Sequence, residues 1–284
     1  MAAPGGVLLV EWPLPWPRDI GDVAELAPVL AAADRLGARV LLVAGDDQPG
    51  DERTLCWYRA PTADPLTAAV LTPSEARCRR ASVVDTALAL LAGEPRPGAP
   101  ARVDVVVCTH GRRDTCCGSA GTSLYRALRA AALPGGVRLW RSSHQGGHRF
   151  APTSLVLPDG TAWAHLDVAT MRGILQRDVP AAAVVDHYRG CVTLADPRLQ
   201  ALDGAALATS GWAWSAATRV GRRLGPSRLE LVATTDAGPR LARCEGIVVD
   251  GARYQLPPCG SPSAAPGPLT EHCSPEVMAF RSPR

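Results

Sequence analysis

Lysine and asparagine are both missing from this chain of 284 residues, so all 30 of its basic side chains are arginines. Without lysine there is no Schiff-base amine and no phosphate-loop lysine. Without asparagine there is no N-glycosylation sequon and no asparagine-based oxyanion hole. The accompanying excess of Ala, Gly, Pro and Arg is what strong GC bias in a genome produces. The net charge is only +3 and like charges never run to five or six, which argues against a nucleic-acid partner. No apolar stretch approaches the roughly 18 residues of a membrane span, and the opening Met1-Ala-Ala-Pro-Gly-Gly lacks the basic segment of a secretory signal. The expectation is a cytoplasmic protein with no nucleic acid and no membrane among its partners, in which thiols stay reduced.

Cysteine, by contrast, is plentiful: nine residues, at 56, 78, 108, 116, 117, 191, 244, 259 and 273. A chain of this length can bury a core without disulfide staples, and an odd count fits reduced thiols. Such cysteines are core residues, metal ligands or redox groups. No Cys-x-x-Cys occurs, which excludes a thioredoxin-type dithiol.

Strands are predicted over Gly6–Trp12, Arg39–Ala44 and Thr54–Arg59, with helical spacing over Asp22–Leu36, interrupted at Pro28, and a helix over Ser82–Leu91. This alternation favours a sheet covered by helices. The Pro-rich Glu94–Ala101 reads as a linker closing an N-terminal α/β region, 1–97. Beyond it come a strand over Val103–Cys108, a helix over Ser119–Ala132 with Ser119 as N-cap, and a strand over Val137–Ser142. Ser154–Leu157 and Thr161–Leu166 flank Pro-Asp-Gly as a hairpin, Asp167 caps a helix over Val168–Gln176, and a further helix is expected over Ala181–Tyr188. Residues 102–190 thus read β-α-β-β-β-α. The remainder, 191–284, is a C-terminal extension, with a helix over Trp212–Leu224, strands over Leu229–Thr234 and Gly246–Val249, and an irregular Leu256–Pro268. No internal repeat of fixed period is visible.

Two short loops concentrate the metal-ligating residue types. One is Cys108-Thr-His-Gly-Arg-Arg-Asp-Thr-Cys116-Cys117-Gly; the other is His144-Gln-Gly-Gly-His148-Arg-Phe. Cys108 ends a predicted strand. Cys117 stands at the entrance to a predicted helix, where dipole and free amides favour thiolate, the form that ligates metal. The glycines allow backbone to approach a bound group closely. Singly, each has a plainer reading: a cysteine ending a buried strand is core, and His-x3-His is a surface pair. Together, in paired loops at strand ends, they read as one shared site. The spacing is wrong for a zinc finger and for the cysteine run of bacterial ferredoxins. Cys108-Thr-His110 mimics half of a Rieske centre, but no later Cys-x-x-His completes it. Arg113 falls one residue short of a phosphatase-type Cys-x5-Arg.

These loops, together with the downstream Leu157-Pro-Asp-Gly, resemble the sucrase/ferredoxin-like family, whose members carry a thioredoxin-like ferredoxin domain. Those with a known site are similar to four-cysteine thioredoxin-like ferredoxins in which the second pair, Cys-x3-Cys, is replaced by His-x3-His. The resemblance implies an α/β chain with a thioredoxin-like sheet-and-helix domain over 102–190. It also implies a 2Fe–2S cluster bound by Cys108, Cys117, His144 and His148. Cys116 leaves a one-residue ambiguity, and Cys117 is preferred because its spacing from Cys108 matches the family pattern. The opening Leu-Leu-Val-Glu-Trp-Pro-Leu-Pro-Trp carries the resemblance more weakly, and 200–284 carry almost none of it. The first predicted strand begins close to Met1, so upstream residues that many relatives carry are expected to be missing.

Such a cluster implies an electron carrier or redox component, serving an unidentified redox partner protein, rather than a stand-alone enzyme. Two neutral imidazoles in place of two thiolates raise the reduction potential, and a ligating imidazole can release or take up a proton with the electron. Arg112, Arg113 and Arg149 flank the ligands and suit a reduced cluster or an acidic partner, or simply surface solubility. Sugar hydrolysis finds no support, since none of the nine Glu and eighteen Asp forms a telling pair beside an aromatic platform. Asp114 is assigned to ordering its loop. Two rival readings remain: a zinc site, structural or hydrolytic, using the same four residues, and a metal-free thioredoxin-like binding module. His272, Cys273 and Cys259 in their Pro-rich surroundings are read as incidental.

Overall fold

The computed structural model describes residues 2–45, 50–94, 102–131, 133–235, 238–256 and 270–281; beyond 234, side chains are described only for 243–249 and Val277, and that of His148 also lies outside the described set. Gly6–Glu11 (β1), buried at five successive positions, is a strand covered on both faces, as its continuous apolar run requires. Two 3-10 turns lead to the helix Ala27–Arg35 (α1), with Pro28 in its first turn, where a missing N–H is harmless. Ala38–Ala44 (β2), Glu52–Arg59 (β3), Thr67–Ala68 (β4), Thr72–Arg79 (β5) and the helix Val83–Leu91 (α2) complete the first half.

The second half repeats that order. Val103–Cys108 (β6) leads to a π-helical turn, Cys117–Gly121, that continues into Thr122–Ala130 (α3). Val137–Ser142 (β7), Ser154–Leu157 (β8), Thr161–Trp163 (β9) and Val168–Gln176 (α4) come next, then Tyr188–Cys191 (β10). The expected β-α-β-β-β-α series is present. Nine strands form one mixed sheet in the order β10-β9-β8-β6-β7-β2-β1-β3-β5. In each half the first two strands are parallel and the others antiparallel, so β2-β1-β3-β5 and β7-β6-β8-β9 have the same connectivity. They join where β2 meets β7 antiparallel, Val43 opposite Ser142 and Ala44 opposite Arg141.

The sheet doubles back at that short join. Tyr58 on β3 donates a hydrogen bond to Asp104 on β6. Those strands are four places apart in the sheet, about 19 Å if it were flat. The inner faces therefore pack on one another through Val7, Leu9, Leu41, Val106, Trp140 and Leu155. Arg138 on β7 fastens this layer, with Nε and Nη2 donating to Asp104 at 2.6 Å and Nη1 to Glu75 on β5 at 3.0 Å. Burial pushes the adjacent Cys56 thiol up to about 12, against the pull of Arg138, so it is a neutral core group.

Two helices and a second sheet make up the C-terminal part: Pro197–Ser210 (α5), Trp212–Ala216 (α6), then Thr218–Arg223 (β11), Arg228–Thr235 (β12), Gly238–Leu256 (β13) and Thr270–Arg281 (β14). The sheet order is β14-β13-β12-β11-β4, so the first half contributes an edge strand. Leu199, Leu202, Trp214 and Leu231 share a core with Trp163, Met171 and Ile174 of the second half. Asp203 in α5 is fully buried and accepts from Tyr188 Oη (2.6 Å) and Trp214 Nε1 (2.8 Å), with Arg219 Nε 2.9 Å away. Among the described residues no helix is long and apolar enough to cross a membrane.

Four sequence expectations change. The helix expected over Trp212–Leu224 stops at Ala216, because Ala217 turns extended and Thr218–Arg223 is drawn into the second sheet. The helix expected over Ala181–Tyr188 is two 3-10 turns, and Tyr188 pairs with Trp163 instead. Ser119 is not an N-cap, since it lies inside the π-helical turn. Strand β5 and helix α5 were not foreseen, although Asp196-Pro197 is an N-cap with proline at the first helical position after it. Residues 257–268 of the expected irregular stretch lie outside the described residues.

Candidate metal centre

Strand β6 ends at Cys108, and the chain must then turn sharply to bring Cys117 back beside it. Three glycines make that possible. A Cβ on Gly121 would stand 1.9 Å from the Cys108 carbonyl oxygen, and one on Gly118 would stand 2.5 Å from the Gly111 Cα. The π-helical turn therefore lies directly on the strand end, a local feature often found at functional sites. The second loop leaves β7 at Ser142, anchored by Ser143: its N–H donates to Leu42 O at 2.8 Å, and its Oγ accepts from Leu42 N–H at 3.0 Å.

One ligand atom from each of Cys108, Cys117 and His144 lies within 4.8 Å of the other two. Cys117 Sγ is 4.0 Å from His144 Nδ1, and both cysteines are buried. Cys108 is held well below the usual thiol range by the hydrogen bond from Cys117, opposed by burial and aided by His144 and by the N–H groups of Gln145 and His110. Cys117, as proton donor to Cys108 and itself buried, is pushed the other way.

Around these three sit groups that orient them. His110 Nδ1 accepts from the His144 N–H at 3.1 Å, so its ring proton is on Nε2, which faces the Pro17 carbonyl at 2.9 Å. Burial lowers the His110 pKa, consistent with that neutral tautomer. Asp114 places Oδ2 3.3 Å from His144 Nδ1, so this residue of the loop also touches a ligand candidate. Arg39 Nη2 on β2 donates to the His144 carbonyl at 3.0 Å; burial lowers its pKa, while Cys108 raises it. Of these, His110 was visible only as half of a Rieske-like pair. Arg39 and Pro17 come from the first half and left no signal in the motif.

The structure thus brings together three of the four expected ligands. His148 opens a 3-10 turn, His148–Phe150, four residues beyond His144; its side chain lies outside the described residues. Cys116 is disulfide-bonded, which corrects the expectation that every thiol is reduced. A sulfur so engaged is not a thiolate donor, and this favours Cys117. Cys56, Cys191 and Cys244 are free and buried, as expected of core thiols, and Cys78 is free and half-buried. The side chains of Cys259, His272 and Cys273 lie outside the described residues.

The sucrase/ferredoxin-like family model matches residues 3–190. The chain belongs to the sucrase/ferredoxin-like family. The match takes in the first half as well as the cysteine-bearing second half, a wider span than the motif loops carry, and it ends within β10. No curated protein and no solved structure matches this chain. Family membership therefore rests on residues 3–190, and chemistry has to be argued from the site.

The donor set fits a soft or borderline metal group: two thiols of split acidity and an imidazole, on elements fixed by backbone contacts. Beside it, Thr109 Oγ1 and Thr153 Oγ1 are buried without a hydrogen-bond partner. They leave donors free for an acceptor-rich group. Gly146, at φ +90°, faces open space where a Cβ would stand, which leaves room on the His144 side.

Proposed function

We propose that this chain is an iron–sulfur electron-transfer protein, with a 2Fe–2S cluster held by Cys108, Cys117, His144 and His148. The convergence of Cys108, Cys117 and His144 in a member of this family carries the reading. When bound, such a cluster accepts and returns one electron. The protein's own contribution is electrostatic and positional. The His110 and Gln145 N–H groups aimed at Cys108 stabilise negative charge on its sulfur. Arg39, on the other side of the His144 peptide, favours added negative charge at the site. His110 fixes the loop that presents His144, the kind of supporting contact that sets ligand orientation.

A mononuclear zinc site is the second reading, and one observation favours it. The 4.0 Å from Cys117 Sγ to His144 Nδ1 approaches the edge of a tetrahedron around one ion, about 3.5 Å for usual zinc bond lengths. A visible absorption spectrum with metal analysis on anaerobically purified protein separates the two. A brown protein with iron and charge-transfer bands supports the cluster; a colourless protein holding zinc eliminates it. The substitution His148→Cys keeps a cluster and lowers its potential. A potential that stays flat between about pH 6 and 9 counts against imidazole ligation, since a ligating histidine couples proton to electron.

A further inference from the structure

A cleft of about 250 Å³ opens against the outer side of the metal centre, with His110 and His144 in its wall. Its charged lining is Arg18, Arg39, Arg113, Asp19 and Asp34, and its apolar lining includes Ile20, Leu30 and Val40. One pair of these charges cancels in place, and the others do not. Arg113 Nη1 and Asp19 Oδ2 pair at 3.0 Å. Asp34 is exposed on the helical side. Arg39 is half-buried and donates to the carbonyl of His144, and among the described residues no carboxylate pairs with it. Burial disfavours its charge, and the Cys108 sulfur favours it. Arg18, exposed at the rim, has no hydrogen bond or ion pair among the described residues.

We propose that this cleft binds a small organic carboxylate, its oxygens on Arg39 and Arg18 and its short aliphatic end on Ile20, Leu30 and Val40. The guanidinium fork matches a carboxylate in two parallel hydrogen bonds. The volume of about 250 Å³ lies at the small end for ligand pockets and suits a short organic anion. The apolar part of the lining selects against a fully hydrated inorganic anion. Because the occupant lies against His144, binding and the charge of the metal centre are reciprocally linked. The inference rests on Cys108, Cys117 and His144 holding a metal, but not on which metal.

The test is calorimetric titration of the full chain, metal-loaded as purified, with butyrate, acetate and inorganic phosphate. Butyrate is expected to bind saturably and more tightly than either of the others. Arg39→Gln and Arg18→Gln should each weaken it tenfold or more, while Arg80→Gln, outside the cleft, leaves it unchanged. Arg18 is exposed, so its variant keeps the test valid even where Arg39→Gln fails to fold. Stripping the metal removes positive charge beside the cleft and should weaken butyrate binding severalfold. Absence of saturable binding, binding indifferent to both arginines, or phosphate equal to butyrate overturns the proposal. A colourless zinc protein that binds butyrate in this manner refutes the iron–sulfur reading and leaves the cleft intact.

Discussion

Gly121 brings the π-helical turn against the end of β6, and replacing it by alanine tests what holds the candidate metal site together. The added methyl would stand 1.9 Å from the Cys108 carbonyl oxygen and 3.0 Å from its carbon, against ordinary contacts of 3.4–4 Å. The backbone must therefore part by about 1.5 Å, because neither neighbour is the movable end of a side chain. Overpacking of this kind costs about 1–3 kcal/mol. For a chain of this size that lowers Tm by roughly 2–10 °C. Gly121 and Cys117 share one π-helical turn, so the same movement carries Cys117 away from Cys108. Metal–sulfur distances tolerate about 0.2 Å, several times less than the displacement. Metal content per chain, measured by mass spectrometry beside thermal unfolding, is expected to fall by more than half. Gly135→Ala is the control: nothing lies within 4 Å of its added Cβ, and both readouts should match the unaltered protein. A Gly121→Ala protein with full metal content and unchanged Tm would show that this close approach does not set the cysteine pair.

Three further outcomes are expected from named contacts. His110→Phe keeps a ring beside Trp16, whose centroid is 5.8 Å away, but strands the His144 N–H; metal affinity should fall about 10–100-fold with Tm lowered only modestly, measured by competition with a chelator. Arg219→Met leaves the fully buried Asp203 without its cation, and should cost about 3–5 kcal/mol in denaturant unfolding, with part regained in Asp203→Leu/Arg219→Met. Asp167 caps α4 by accepting from the Thr170 N–H at 2.7 Å, which lowers its pKa. A carboxylate with a lowered folded-state pKa stabilises fully above its unfolded value, near 3.9, and loses that contribution as pH falls through the folded value. Asp167→Ala should therefore cost about 1 kcal/mol at pH 7 and almost nothing at pH 2, as read from urea midpoints.

The elements that bury a continuous or strictly amphipathic face were legible from sequence: β6, β7 and α4 have the expected bounds, Asp167 cap included. What failed was decided by partners distant in the chain. Thr218–Arg223 has helix-compatible arginines and becomes a strand because β12 and β4 bond to both its edges. Polar Thr72–Arg79 shows no apolar alternation, yet it pairs with β3 along eight positions. At the site, the ligand candidates could be read from motif content, since cysteine, histidine and glycine in short loops have few other uses. Their supports could not. Arg39 and Pro17 are ordinary residues far upstream of Cys108, and only the pairing of β2 with β7 brings the first half against His144 and His110.

The repeated connectivity explains why the supports come from so far away. Both halves present the loop after their first strand at the junction where β2 meets β7. In the second half that loop carries the cysteine ligand candidates. In the first, the corresponding segment is the Trp- and Pro-rich stretch after β1, which has no cysteine or histidine. It closes the site instead: Trp16 sets its ring edge-on to His110, and Pro17 takes the His110 ring proton's hydrogen bond. One half thus supplies donors and the other supplies rigidity and positive charge through Arg39. A centre built this way is rigid only while the two inner faces remain packed. Loosening the Arg138–Asp104–Glu75 fastening, as in Arg138→Gln, is therefore expected to lower metal content as well as Tm, read by mass spectrometry beside thermal unfolding.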